Sequence, residues 1–189
     1  YYAMEYLDGV SLRDLVTKGG GQPPGRTIYL LGQVCASLME AHEAALIHRD
    51  IKPSNVIIVD RGQWADWVKV LDFGLVCQIG GYDGGGMPRF QVAGTPRYMA
   101  PEMFSAPDEI DVRSDIYALG ALGYFLLTGL DPFSGKDLTT IREACLNREI
   151  EAFETWTRLL GSHGPLEELI LACLAPDRDN RPESVADVA

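Results

Sequence analysis

Apolar residues recur every three or four positions along Thr27 to Ala45, which is the spacing of an amphipathic helix. The residues that share this face are Ile28, Leu31, Cys35, Leu38 and Met39. A second stretch, Ile116 to Leu127, is apolar on all sides and predicts a helix at the centre of a helical core. Ser114 is its predicted N-terminal cap, and Gly129 follows its last turn. Two further helices are predicted at Leu138 to Arg148 and at Leu166 to Leu174.

Short runs of β-branched residues predict one β-hairpin. Its strands are Val56 to Val59 and Trp67 to Leu71, and residues 60–62 suit a turn after the first strand. Near the start of the chain, Ser11 and Asp14 have the Ser-x-x-acid spacing of a capping box, which predicts a short helix. Residues 18–25 hold four glycines and two prolines, so they predict a loop.

The composition is that of an ordinary globular domain. Of 189 residues, 47% are hydrophobic and 23% are charged, which argues against a disordered or fibrous protein. The length suits one domain or one large lobe. Lys and Arg number 16 against 27 Asp and Glu, so the net charge is −11. Because nucleic-acid binding needs clustered positive charge, we expect no nucleic-acid partner, and an anionic ligand would need a metal ion beside it.

Two features bear on location. The longest apolar run, Ile116 to Leu127, is shorter than the roughly 20 residues that span a bilayer, so no membrane segment is expected. The cysteines form no Cys-x-x-Cys pair, which favours free thiols over disulfides or a zinc site. They are Cys35, Cys77, Cys145 and Cys173. We therefore expect this chain to lie in the cytoplasm. This expectation also covers the case in which it is the cytosolic part of a larger, membrane-anchored protein.

Polar residues cluster at positions 48–55, between the long helix and the hairpin. This loop contains a carboxylate at Asp50, a cation at Lys52 and an amide at Asn55, and Asp72 follows the second strand. Because a hairpin brings its two ends together, Asn55 and Asp72 are predicted to lie side by side, with Asp50 close by. Hard oxygen ligands suit Mg²⁺, which keeps other positions for phosphate oxygens. The spacing predicts a metal-dependent phosphoryl-transfer site.

The same residues resemble the eukaryotic-type protein kinases, in the form also found in bacterial Ser/Thr kinases. That family has a His-Arg-Asp loop with Asn five residues after the Asp, then Asp-Phe-Gly and Ala-Pro-Glu. Here these motifs stand in order at residues 48–50, Asn55, residues 72–74 and residues 100–102. The resemblance implies an α+β, protein kinase-like fold with a mainly α-helical C-terminal lobe and a short β-hairpin. It also implies ATP and Mg²⁺ as cofactors and a protein bearing Ser or Thr as substrate.

The resemblance covers nearly the whole chain and implies its domain organisation. Residues 1–9 are expected to be the hinge and the end of the last N-lobe strand, and residues 10–189 the C-terminal lobe. In that lobe the catalytic loop spans 48–55, the activation segment 72–102 and the central buried helix about 114–128. The family's Gly-rich loop and ATP-binding lysine precede the hinge. The N-terminal β-lobe is therefore expected to be absent from this chain. It would be a missing partner of the C-terminal lobe, and without it the fragment is expected to be inactive.

Carried over residue by residue, the resemblance assigns three catalytic side chains and two metal ligands. Asp50 would be the base that accepts the substrate hydroxyl proton, and Lys52 would neutralise charge on the transferring phosphoryl group. Thr95 would orient both through its hydroxyl. Asn55 and Asp72 would hold the magnesium ions.

The implied ATP-binding residues lie in the hinge, in the catalytic loop and on the hairpin. Backbone groups of the hinge would hydrogen-bond adenine, and Ile57 would lie beneath the adenine ring. The full set is Met4, Glu5, Leu7, Lys52, Asn55, Ile57 and Asp72.

Two alternatives stand beside a protein Ser/Thr kinase. A pseudokinase or scaffold lobe would show the same pattern if its defect lay in the N-terminal lobe. A small-molecule kinase of the aminoglycoside or choline type shares the Asp and Asn of the loop but lacks the Ala-Pro-Glu segment.

Glu102 of that segment would form a buried ion pair with Arg181 that supports a substrate-docking loop at residues 94–99. Lys52, two residues after Asp50, resembles Ser/Thr rather than tyrosine kinases.

Overall fold

A computed structural model describes the chain at residues 5–62, 64–72, 77–78, 96–106, 109–133, 135–147, 150 and 164–189. Within these residues the strands are β1 Gly9–Ser11, β2 Leu46–Ile47, β3 Val56–Arg61, β4 Trp64–Val70 and β5 Cys77–Gln78. The helices there are α1 Leu12–Gly19, α2 Pro24–Glu43, α3 Pro101–Ser105, α4 Val112–Thr128, α5 Leu138–Asn147 and α6 Pro165–Cys173. Short 3₁₀ turns lie at Pro53–Asn55, Pro96–Tyr98, Arg178–Asn180 and Val185–Asp187.

The predicted hairpin is present as β3 and β4, which pair antiparallel with Val56 opposite Val70. Both strands are longer than predicted at the turn, because β3 continues to Arg61 and β4 begins at Trp64. Gly62 has a φ of 65°, a left-handed conformation that glycine adopts without strain, so the tip of the turn lies there.

Strand β1 was not predicted, and it makes the sheet three-stranded in the order β1-β3-β4. It pairs antiparallel with β3, with Gly9 opposite Val59. A run of three residues is too short to show an alternating pattern. Gly9 is required at this position, because a Cβ would clash with the carbonyl oxygen of Ile58. The sheet thus joins residues 9–11 to the hairpin that follows the predicted catalytic loop.

The short helix α1 begins as predicted. The Ser11 hydroxyl accepts a hydrogen bond from the Asp14 amide at 3.0 Å and donates to its carboxylate at 2.7 Å. This satisfies one of the N–H groups that the first turn of a helix leaves unpaired.

The long helix α2 begins three residues earlier and ends two residues earlier than predicted. The predicted loop at 18–25 is shorter, because α1 continues to Gly19 and α2 starts at Pro24. Proline suits the first helical position, where its missing N–H has no partner to lose. The helix ends at Glu43, since Ala45 has a φ of 57° that is incompatible with a right-handed helix.

Polar contacts fasten α2 to the outer strand of the hairpin. The Gln33 side chain accepts a hydrogen bond from the Val68 amide at 3.0 Å and donates to the Asp66 carbonyl at 2.9 Å. Arg26 donates to both carboxylate oxygens of Asp66 at 2.7 Å. The hairpin is therefore held at a fixed position on α2.

The central helix is α4, in which every residue from 114 to 127 is buried. Its predicted end is confirmed, because Gly129 has a left-handed φ of 77°. The predicted cap is wrong: the Asp111 carboxylate accepts a hydrogen bond from the first turn at 2.8 Å. Ser114 lies inside that turn, and its hydroxyl donates to Glu102 at 2.7 Å instead.

The last two predicted helices are present within one residue at each end, as α5 and α6. Arg148, the predicted end of α5, lies outside the described residues. Helix α6 packs closely on α4, where Gly120 leaves room for the Cys173 side chain; a Cβ there would come within 2.7 Å of the Cys173 Cβ. The core thus gathers around α4.

The described helices include none that is both long enough and apolar enough to span a membrane. Three cysteines of the described region are free, as predicted, and all three are buried: Cys35, Cys145 and Cys173. Burial raises the pKa of Cys35 and of Cys145 to about 11 and that of Cys173 to about 12. These thiols are protonated at neutral pH and pack as apolar side chains.

Candidate active site

The predicted catalytic loop, residues 48–55, connects β2 to β3 and lies at the open end of the hairpin. The Leu71 amide donates to the Asn55 carbonyl at 2.8 Å, one step beyond the Val56 and Val70 pair. Asp72 comes next in the chain. The hairpin therefore brings the segments that carry Asn55 and Asp72 together, as the spacing predicts.

Three predicted site residues form one hydrogen-bonded cluster. Lys52 Nζ donates to Asp50 Oδ2 at 2.6 Å, and Asn55 Nδ2 donates to the same oxygen at 2.9 Å. Asn55 Nδ2 also donates to the Asp50 carbonyl at 2.9 Å. The Asp50 and Lys52 side chains are 15% and 18% exposed, so the cluster reaches the surface without being fully hydrated. A carboxylate held by two donors has a defined orientation, which a general base requires.

The shape of the loop depends on Asp115, a carboxylate with no exposed surface. Its two oxygens accept hydrogen bonds from the backbone amides of His48 and Arg49, each at 2.9 Å. His42 Nε2 is also 2.9 Å from Oδ2. Arg49 has a φ of 64°, which is strained for a residue with a side chain, and the carboxylate holds its amide in that conformation.

Neither Asp115 nor His42 was predicted to hold the catalytic loop. The available signal was a charged residue at the start of a helix that is otherwise apolar on all sides. A carboxylate in that position must be hydrogen-bonded, because burying a charge without partners is very costly.

His48 links the loop to the hairpin from beneath. The Asp50 amide donates to His48 Nδ1 at 3.2 Å, so Nε2 carries the ring hydrogen and donates to the Leu71 carbonyl at 2.9 Å. The side chain is fully buried. Phe73 of the Asp-Phe-Gly motif lies outside the described residues.

The donors at the open end of the hairpin fit Mg²⁺. Asn55 uses its Nδ2 in bonds to Asp50, so Oδ1 is its remaining ligand atom. Asp72 is exposed, and its φ of 61° turns the chain sharply at the end of the hairpin. An amide oxygen and a carboxylate are the hard oxygen ligands that Mg²⁺ prefers, and this ion needs few of them from the protein.

The predicted adenine-binding residues are only partly described. Glu5 is exposed and its carboxylate accepts a hydrogen bond from Lys69 at 2.8 Å, while Leu7 is half-buried. Ile57 is half-buried on β3, opposite Ser11 of β1. Met4 lies outside the described residues, as does Thr95 of the predicted catalytic set. Their roles stay predictions.

The predicted ion pair of Glu102 and Arg181 is present and buried. Arg181 donates from Nη1 and Nη2 to the two Glu102 oxygens at 2.7 and 2.9 Å. Its other donors reach the carbonyls of Ala175, Arg113 and Pro176 at 2.7 to 3.0 Å. All five guanidinium N–H groups are thus bonded. Burial favours the neutral acid, but the bonds from Arg181 and Ser114 outweigh it, so the pKa of Glu102 lies below its ordinary value.

The model of the protein kinase domain matches residues 1–188. The chain belongs to the protein kinase family. Protein kinases use ATP together with Mg²⁺, and a His-Arg-Asp loop with Asn five residues after the Asp is one of the family's motifs.

Relatives of this kinase chain include bacterial proteins. Serine/threonine-protein kinase PknB of Mycobacterium tuberculosis is 34% identical over 188 residues, which cover 100% of this chain and 29% of that protein. Serine/threonine-protein kinase pkn3 of Myxococcus xanthus is 36% identical over 187 residues, which cover 97% and 34% respectively. The chain thus spans about a third of the length of these relatives.

A solved kinase structure confirms the fold. Rad53 in complex with AMP-PNP superposes with a TM-score of 0.78 at 25% sequence identity. The match covers 98% of this chain and 44% of that one. The family and the α+β, protein kinase-like fold that the motifs predict are therefore confirmed.

Proposed function

We propose that this chain is the catalytic lobe of a protein serine/threonine kinase that transfers the γ-phosphate of ATP to Ser or Thr hydroxyls of proteins. The observation that carries the proposal is the cluster in which Lys52 and Asn55 both donate to Asp50 Oδ2. The names of the bacterial relatives support the Ser/Thr class. Three buried free thiols support a reducing, cytoplasmic setting.

Asp50 would act as the base. In the described part of the chain both bonds to its carboxylate end on Oδ2, which leaves Oδ1 to accept the proton of the substrate hydroxyl. Lys52, held 2.6 Å from Asp50, would place its ammonium group beside the transferring phosphoryl group. Phosphoryl transfer is catalysed mainly by such positioning and charge stabilisation.

Asn55 Oδ1 and the Asp72 carboxylate would hold Mg²⁺, which when bound neutralises phosphate charge. The family's Gly-rich loop and ATP-binding lysine precede the hinge. We therefore propose that residues 1–189 by themselves bind ATP weakly and transfer phosphate slowly. Adenine recognition would involve Met4, Glu5, Leu7 and Ile57, and Thr95 would orient Asp50.

The ion pair of Glu102 and Arg181 favours a protein substrate over a small molecule. It anchors α3, the helix that directly follows the proposed docking loop, to the end of the lobe. Small-molecule kinases do not need a platform for a peptide at this position.

The test measures γ-phosphate transfer from Mg-ATP to myelin basic protein by the full-length gene product and by its Asp50→Asn variant. The rate is expected to fall about 10²- to 10⁴-fold, since Asn cannot accept the proton. Asp60→Asn is the matched control, because Asp60 is an exposed carboxylate on the adjoining strand β3, and it is expected to retain the wild-type rate. A folded wild-type protein that transfers no phosphate would instead support a scaffold function.

A further inference from the structure

Three segments that are far apart in the chain meet at the carboxylate of Asp131, which follows α4. Arg13 of α1 donates from Nη1 to Oδ1 at 3.1 Å, and Arg97 donates from Nη1 to Oδ2 at 2.7 Å. The Tyr98 hydroxyl makes a short hydrogen bond to Oδ1. We call these four residues the Asp131 cluster.

The cluster is built around a charge that remains ionised. Burial by itself would raise the pKa of Asp131, but hydrogen bonds from Tyr98, Arg97 and Arg13 outweigh it, so the pKa lies below its ordinary value. Burial and the neighbouring carboxylate raise the pKa of Tyr98, which therefore stays a hydrogen-bond donor. The Asp131 side chain is 17% exposed, whereas both guanidinium side chains are about one-third exposed.

Aromatic contacts give the cluster a rigid base. Arg13 lies over the ring of Phe125 in α4, with 4.4 Å between the guanidinium carbon and the ring centroid. Tyr98 packs edge-on against the same ring at 6.5 Å and 80°. Arg13 Nη2 also donates to the Tyr98 hydroxyl at 3.1 Å. The turn Pro96–Tyr98 is thus fixed to both α1 and α4.

The position of α1 connects the cluster to the catalytic loop. This helix packs against the turn Pro53–Asn55, which ends that loop. The opposite partner, Pro96–Tyr98, belongs to the proposed docking loop for the protein substrate. Asp131 therefore joins the catalytic side and the docking side of the lobe through one carboxylate.

We propose that Asp131 is a positioning residue for the protein substrate, which holds the docking turn Pro96–Tyr98 at a fixed distance from the catalytic loop through Arg13 and Arg97. The inference rests on the proposed kinase function and deepens it. Loss of the carboxylate frees the docking turn while leaving Asp50, Lys52 and Asn55 in their own hydrogen bonds. Binding of the protein substrate is therefore weakened, whereas binding of ATP is unchanged.

The test compares KM for myelin basic protein, KM for ATP and the rate of ATP hydrolysis in the full-length gene product. For Asp131→Asn we expect KM for the protein substrate to rise about tenfold, because a displaced docking site costs binding of that substrate alone. KM for ATP and the hydrolysis rate, in which water is the acceptor, are expected to stay at wild-type values. Arg97→Gln is expected to shift the same constant in the same direction, and Asp131→Glu to restore it in part.

Asp66→Asn is the matched control, since Asp66 is bonded by Arg26 at 2.7 Å where β4 meets α2, outside the Asp131 cluster, and has a left-handed φ that Asn tolerates. A merely structural role for Asp131 predicts a lower melting temperature with an unchanged KM for the protein substrate, and that result would overturn the inference. So would equal changes in both KM values. Wild-type protein that hydrolyses ATP but phosphorylates no protein would remove the proposed function and the inference together.

Discussion

The ion pair of Glu102 and Arg181 differs from the proposed catalytic cluster of Asp50, Lys52 and Asn55 in how its charges are paired. Arg181 has no exposed side-chain surface, and each of its five N–H groups has an acceptor. Asp50 is partly exposed and receives both of its side-chain bonds at one oxygen. The ion pair is therefore saturated with hydrogen bonds and cannot bind a further ligand. In the Asp50 cluster, Oδ1 of the carboxylate remains available to accept a proton.

The difference follows from the cost of desolvation. A charge that is buried completely must have all of its hydrogen-bonding groups paired, or the fold loses several kcal/mol. A charge that must bind a substrate or a metal ion has to remain partly solvated until that ligand arrives. Exposure and spare lone pairs therefore distinguish the groups that support the lobe from those that would act.

Removing one partner of the Glu102 and Arg181 ion pair is expected to have the largest effect on stability. For Arg181→Met the free energy of unfolding should fall by about 3–5 kcal/mol, because the Glu102 carboxylate would stay buried without its cation. Urea unfolding followed by circular dichroism measures this change.

Two controls sharpen that result. The double variant Glu102→Leu/Arg181→Met should lose less stability than Arg181→Met, since no unpaired charge remains in the core. Arg26→Met breaks a partly exposed pair with Asp66 and should cost at most about 1 kcal/mol. If all three variants lose the same free energy of unfolding, breaking the ion pair at Glu102 costs no more than breaking a surface pair.

The second prediction concerns acid. The pKa of Glu102 is lower in the folded chain than its ordinary value of 4.5, so its contribution to stability is complete above that pH. It is lost as the pH falls through the lowered, folded-state pKa. Unfolding measured over a pH series below 4.5 should show the wild type losing more stability than the double variant Glu102→Leu/Arg181→Met. Parallel pH profiles would assign the acid sensitivity to other carboxyl groups.

The smallest effect on stability is expected at the cluster of Asp50, Lys52 and Asn55. Asp50→Asn, the variant expected to slow phosphate transfer, should change the free energy of unfolding by about 1 kcal/mol or less, because Lys52 and Asp50 both reach solvent. The same urea titration checks it. A loss as large as that of Arg181→Met would mean that Asp50 supports the fold as well as the reaction, and the contrast between the two clusters would fail.

The elements that could be predicted are those encoded over a few neighbouring residues. The Ser11 cap, the hairpin from Val56 and the end of α4 at Gly129 all follow from local spacing or from the conformational freedom of glycine. Asp50 and Asn55 could be predicted as site residues because their motif is continuous. The cap of α4 was misassigned, since both Asp111 and Ser114 have suitable side chains and only Glu102 decides between them.

The sequence by itself determined the family and the long helices, and it supplied the prediction of the reacting groups, because periodicity and motif order are local properties of the chain. Only the tertiary structure showed that Asp115 holds the catalytic loop and that Asp131 gathers Arg13, Arg97 and Tyr98. These contacts join residues 33 to 118 positions apart. Their partners are set by how helices and loops pack, and no local pattern specifies which distant donor a buried carboxylate will meet.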